Sequence, residues 1–81
     1  MVKIEGIVLQ DNLPLSDAVV TVVEGSQPFH DIASLTDSSG AFTLELLPGT
    51  YLIRAYHDDR ETETTIEVRP NQSEVSVQLR F

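Results

Sequence analysis

The sequence has no cysteine and no tryptophan, one methionine, and a single lysine, Lys3. Without thiols there is no disulfide, no thiolate metal ligand and no cysteine nucleophile, so packing alone has to hold the fold. Basic residues are scarce: five Lys and Arg stand against thirteen Asp and Glu, for a formal charge of −8. That field repels a phosphate backbone and an anionic membrane surface, so nucleic acid and membrane lipid are not expected partners. Solubility, a basic protein partner or a cation remain as uses for the charge. No apolar run approaches the roughly 20 residues of a membrane-spanning helix. The two histidines, His30 and His57, sit in no recognisable catalytic motif.

What is present is a globular composition, 41% hydrophobic and 22% charged over 81 residues. This length points to one domain, residues 1–81. A domain so small buries only roughly 60–65% of the surface its unfolded chain exposes, so its stability margin is narrow. Strand-like alternation begins at Val2, which leaves no room for a signal peptide. The expected location is therefore cytoplasmic if the chain starts at its own Met1, and extracytoplasmic if it is a module cut from a longer protein.

Period-two alternation dominates, with no helical stripe competing. "VKIEGIVLQ" puts Val2, Ile4, Gly6 and Val8 on one face. "DNLPLSD" reads as a turn, since Pro14 cannot donate to a strand ladder. "AVVTVVE" is apolar on both faces, Ala18/Val20/Val22 and Val19/Thr21/Val23, which suggests a strand partly covered on each side. "GSQPFHD" breaks the pattern as a loop, and a short strand follows near Ile32–Thr36. "AFTLEL" turns Phe42, Leu44 and Leu46 inward; "TYLIRAYH" does the same with Tyr51, Ile53 and Ala55. "ETETTIEVR" separates Glu61/Glu63/Thr65/Glu67 from Thr62/Thr64/Ile66/Val68, and "EVSVQLRF" ends the chain. Seven short strands, punctuated at intervals of roughly 8–12 residues, predict an all-β sandwich of two antiparallel sheets.

The stretch "TDSSG" before "AFTLEL" raises the question of an acidic and serine active site. Asp37 can accept main-chain N–H groups a few residues on, and Gly40 can take a positive φ. An acid, two serines and a glycine are thus what a tight hairpin between "IASLT" and "AFTLEL" requires. A nucleophilic serine needs a base and an orienting acid; a calcium loop needs several oxygen ligands at fixed spacing, and "DSSG" supplies one carboxylate. No motif here calls for a cofactor or a metal.

The residues Gly6, Pro14, Ala18-Val19-Val20, Thr36-Asp37, Gly40, Phe42 and Leu47-Pro48-Gly49-Thr50-Tyr51 form a pattern. It resembles the carboxypeptidase regulatory-like family, within the transthyretin-like (prealbumin-like) β-sandwiches. The resemblance runs from about Ile4 to Ala55, and the last two strands are consistent with it. It implies a seven-stranded antiparallel Greek-key sandwich that is a non-catalytic module binding or stabilising a neighbour. Asp37, Gly40, Phe42, Pro48, Gly49 and Tyr51 become architectural residues: Phe42 fills the inter-sheet core, and Tyr51 buries its ring while its hydroxyl reaches the main chain.

Active relatives of that sandwich fit less well. Hydroxyisourate hydrolases end in Tyr-Arg-Gly-Ser, whereas this chain ends Gln78-Leu79-Arg80-Phe81; Arg54, Arg80 and His57 would have to meet in space. Isopeptide-forming adhesin domains need a lysine, an acid and an Asn or Asp; only a Lys3–Asn71 bond suggests itself. Starch-binding sandwiches stack sugars on exposed aromatics, for which Tyr56 is a single platform.

Two surface stretches remain as binding candidates. Gln27, Pro28, Phe29, His30 and Asp31 form a loop with an aromatic in a segment otherwise built for solvent, a common anchor for a protein partner. Tyr56, His57, Asp58 and Asp59 adjoin the acidic run and offer a weaker site for carbohydrate or calcium. The expected function is a non-catalytic module that holds a protein partner or an adjacent domain, with small-ligand binding on the same scaffold as the alternative. The glutamates of "ETETTIEVR" have a further expected effect, discouraging edge-to-edge pairing.

Overall fold

A computed structural model describes residues 2–28 and 33–81. Eight strands occur among the described residues: β1 (Val2–Gln10), β2 (Leu13–Pro14), β3 (Val19–Gly25), β4 (Ala33–Leu35), β5 (Ala41–Leu46), β6 (Gly49–His57), β7 (Arg60–Val68) and β8 (Glu74–Arg80). Sheet one places β1 between β8 on one side and β5, continued by β2, on the other; sheet two runs β4-β3-β6-β7. The alternating side chains named above meet between the sheets. Ile4, Val8, Phe42, Leu44, Leu46, Val77 and Leu79 from sheet one face Val20, Val22, Tyr51, Ile53, Ala55 and Val68 from sheet two, all in one core cluster. Burial of each large aliphatic there is worth about 1.5–3 kcal/mol, the main favourable term in a chain without covalent staples.

The eighth strand is the first departure from the sequence reading, which took "DNLPLSD" as a turn. Asp11 and Asn12 both adopt positive φ, 53° and 65°, as a two-residue hairpin turn with the right twist demands. Gln10 then pairs with Leu13 and Leu9 with Pro14. Proline is tolerated because this two-residue strand lies at the sheet's rim. The ladders are antiparallel except one: β8 lies parallel to β1 from Lys3↔Glu74 to Leu9↔Arg80. Alternation reports which face a side chain takes and carries no information on strand direction.

A second departure concerns "TDSSG". The expected hairpin does not form, because β4 belongs to sheet two and β5 to sheet one. The segment is a crossing between layers. Its local chemistry is as read: one Asp37 carboxylate oxygen accepts the N–H groups of Ser39 (2.8 Å) and Ala41 (3.0 Å). Gly40 has φ 72°, and a Cβ there would come within 2.6 Å of the Val8 carbonyl oxygen and 3.0 Å of the Leu15 nitrogen. The Gly40 carbonyl accepts the Val8 N–H at 2.8 Å, so the strand leaving the turn is drawn to β1 rather than back to β4.

Thr36, only 3% exposed, secures the same crossing. Its hydroxyl oxygen accepts the Ala18 N–H at 2.9 Å and donates to the Leu15 carbonyl at 2.7 Å. Its main chain pairs with Asp17 and Ala18. On the next crossing, from β5 to β6, the buried Tyr51 donates its hydroxyl to the Leu47 carbonyl at 2.6 Å. Ser26 closes it from the side, giving its N–H to the Thr50 carbonyl and accepting the Thr50 N–H on its hydroxyl. Opposite Gly6, the paired residue is Phe42, whose ring occupies the place a Cβ would take; an aromatic laid over a cross-strand glycine fills the gap that glycine leaves.

Two stability predictions follow from these crossings. Thr36→Val keeps the shape but leaves the buried Ala18 N–H and Leu15 carbonyl unpaired, so urea unfolding should show a loss of about 2 kcal/mol or more. Tyr51→Phe should cost about 1 kcal/mol at neutral pH. Burial holds the Tyr51 hydroxyl above its ordinary value of 10.0, so the unfolded chain ionises first. The stability tied to that group is intact below pH 10 and is lost as pH rises through the folded value. Tyr51→Phe should therefore make unfolding free energy fall less steeply on the alkaline side; an unchanged alkaline slope would contradict the assignment.

Candidate functional site

Val19, Thr21 and Val23 were expected to be partly covered, and Thr21 and Val23 are half-buried. No strand or helix among the described residues lies over that side of sheet two, and Val19 is 38% exposed. The register builds rows across this outer face. Leu35, Val19, Tyr56 and Glu61 line up on β4, β3, β6 and β7; Ala33, Thr21, Arg54 and Glu63 form the next row. Leu35 is 61% exposed, so two of the most exposed large aliphatics are direct cross-strand partners, extended by the half-buried Tyr56.

The second row fixes the first. Arg54 donates through Nε and Nη2 to one Glu63 carboxylate oxygen, at 3.0 and 2.7 Å, and through Nη1 to the Tyr56 hydroxyl at 3.2 Å. Its guanidinium carbon stands 6.0 Å from the Tyr56 ring centroid, within cation–π range. These contacts, Tyr56 first and Glu63 second, hold the Arg54 proton even more firmly than usual. The positive charge is thus consumed locally, while Glu61 beside Tyr56 forms no ion pair among the described residues. The result is an apolar strip with an acidic border on the β7 side.

The residues singled out from sequence fall at separate places. Gln27 and Pro28 are exposed near the start of β6, where Gln27 packs against Gly49; Phe29, His30 and Asp31 lie outside the described residues. Asp58 and Asp59 form the β6–β7 hairpin tip, with Asp58 at φ 53° and its carboxylate 3.5 Å from His57 Nδ1. Gln27 and the tip are thus at opposite ends of β6, about 26 Å apart along an extended strand. Of the second group only Tyr56 belongs to the rows. The sequence reading missed Val19, Leu35 and Arg54 as a surface group. The apolar "other face" of "AVVTVVE" was the available signal; the register that brings Leu35 beside it was not.

The chemistry on offer is limited. Asp37, Gly40, Phe42 and Tyr51 are occupied in the crossings and core described above, and the Pro48–Gly49 turn leads into β6. Three clefts among the described residues are small: about 340 Å³ beside Glu24, Ser26, Thr50 and Thr65, about 290 Å³ beside Lys3 and Glu45, about 230 Å³ beside Leu35 and Asp37. These lie near or below the low end of the roughly 300–1,000 Å³ usual for ligand pockets. Among the described residues no three His, Asp or Glu side chains gather as metal ligands. Arg54 and Arg80 lie on different sheets, Arg54 engaged by Glu63 and Arg80 by Gln78. Lys3 Nζ lies 2.9 Å from Glu5, which raises the lysine and lowers the carboxyl relative to their ordinary values. An exposed ammonium held in its charged form is a poor amide-forming nucleophile.

Two all-β layers packed face to face, with architectural residues at their crossings, define a small β-sandwich domain. Residues 3–80 match the carboxypeptidase regulatory-like domain, and the chain belongs to that non-catalytic domain family. Among curated proteins no match to the chain was found.

The Arg54–Glu63 pair should matter more for shaping this face than for stability. Both side chains are partly solvated, so a double-mutant cycle with Arg54→Met and Glu63→Gln should give a weak coupling in urea unfolding, smaller than the loss caused by Thr36→Val. That coupling should shrink further in about 1 M salt.

Proposed function

We propose that the chain is a non-enzymatic interaction module that holds a protein partner or a neighbouring domain against the outer face of sheet two. The observation that carries this reading is the exposed cross-strand pair Val19–Leu35, continued by Tyr56. An apolar row exposed on a rigid sheet and rimmed by polar groups is the usual mark of a docking surface. The occupant the chemistry favours is a segment with a large aliphatic or aromatic residue for the Leu35–Val19–Tyr56 row and a Lys or Arg for Glu61. A net charge of −8 favours association with such a basic partner and opposes pairing with a second copy.

Small-ligand binding through Tyr56, His57, Asp58 and Asp59 draws less support. The ring of Tyr56 is already shared with Arg54, which leaves less of it for a stacked sugar. Gln27–Asp31 stays a second proposed contact, and a partner engaging both Gln27 and the tip must reach along the full length of β6.

Panning a random peptide display library on the purified chain tests the reading. Enriched peptides should pair an aromatic or large aliphatic residue with nearby Lys or Arg, and Leu35→Glu should weaken their binding at least tenfold while Pro28→Ser leaves it nearly unchanged. Loss on Pro28→Ser instead would move the site to the loop. Retention by both variants would remove the outer face as the contact. Melting temperature should not move with millimolar calcium or oligosaccharide; a rise with either would favour the ligand reading.

A further inference from the structure

The parallel ladder between the first and last strands has a mechanical consequence, independent of any docking partner. β1 and β8 run in the same direction through seven consecutive residue pairs, Lys3↔Glu74 to Leu9↔Arg80. The N-terminal side of the chain therefore leaves from one end of the ladder and the C-terminal side from the other, about 20 Å away. We infer that the sandwich is built to stay folded under tension applied along the chain, as a link that resists extension, with the β1–β8 ladder as its clamp.

The argument is one of geometry. Pulling the two chain ends apart draws β1 and β8 in opposite directions along their own axes. Every inter-strand hydrogen bond in the ladder is then stretched together, and none can be exchanged for a bond to water ahead of its neighbours. Pulling across a hairpin from its open end instead opens one pair at a time, and each broken pair recovers most of its free energy by bonding to water. Forced unfolding follows the height of the barrier and not the equilibrium stability, so the two directions should give different forces for the same fold.

The surroundings of the ladder support this role. On its other side β1 is held by β5 through six antiparallel pairs, Val2↔Leu46 to Ile7↔Ala41, so β1 does not yield alone. Val77 and Leu79 of β8 are buried in the core with Ile4 and Val8 of β1, and sliding β8 would drag these side chains past one another. Both ends of the ladder are extended by further main-chain bonds, Lys3 N–H to the Ser73 carbonyl at 3.4 Å and Phe81 N–H to the Leu9 carbonyl at 2.9 Å. Phe81 packs against the core, and the Arg60 guanidinium carbon stands 5.6 Å from its ring centroid. The last residue is thus tied to β7 as well as to β1.

Single-molecule stretching tests the inference, and the absence of cysteine makes attachment specific. One form of the full chain carries an added cysteine at each end. A second carries Thr50→Cys with Glu67→Cys, exposed Cα partners at the open end of the β6–β7 hairpin. Both should melt within a few degrees of the parent chain; Leu52→Cys with Thr65→Cys, the paired residues two positions along each strand toward the tip, replaces the second if it does not. At equal loading rate the end-to-end unfolding force should be at least twice the force across the hairpin. Equal or lower end-to-end force would overturn the inference. So would an early low-force step releasing β8 alone, since the strand would then be peeling rather than shearing. Neither outcome bears on the outer face, which peptide panning tests separately.

Discussion

The hydroxyl of Thr36 is the contact on which the two-layer arrangement turns. A sandwich needs its chain to cross from one sheet to the other, and each crossing carries main-chain polar groups past an apolar core. Thr36 accepts from Ala18 and donates to Leu15, so one side chain satisfies two crossings at once, that from β2 to β3 and that from β4 to β5. The Gly40 carbonyl then receives the Val8 N–H, and Val8 returns its carbonyl to Leu15. Asp37 and Gly40, which look like catalytic material in the sequence, are what allows β5 to be delivered to β1.

Beyond that joint the two sheets have different tasks. Sheet one contains both terminal strands and holds them parallel, which suits it to carry force. Sheet two presents an outer face over which no strand or helix lies among the described residues, and its apolar row is bordered by glutamates on the edge strand β7. Charge on that long edge also discourages pairing with another sheet. Arg54 links these features: neutralised by Glu63 and bonded to Tyr56, it keeps the aromatic ring in place without adding a free positive charge to the face.

The legibility of the site was uneven for identifiable reasons. Tyr51 and Phe42 could be assigned from alternation plus the motif, and both lie in the core, with the Tyr51 hydroxyl on a main-chain carbonyl. Tyr56 was visible as the aromatic on the opposite face. Val19 and Leu35 were not recognisable as neighbours, because sixteen positions separate them in sequence and only the β3–β4 register makes them adjacent. Arg54 and Glu63 are likewise joined by a ladder and not by a sequence motif.

By itself the sequence determined which residues face inward along each strand, where the chain turns, and that the core must hold without disulfides. Those properties are local: side-chain alternation and the φ preferences of Gly, Pro, Asn and Asp act within a few residues. Tertiary structure decided which strands pair, that "TDSSG" crosses between sheets instead of closing a hairpin, that the terminal strands run parallel, and that Leu35, Val19 and Tyr56 form one row. Each of these depends on partners far apart in the chain, chosen by burial of both inner faces together and by bonds such as Val8 to Gly40 that exist only once the sheets have met.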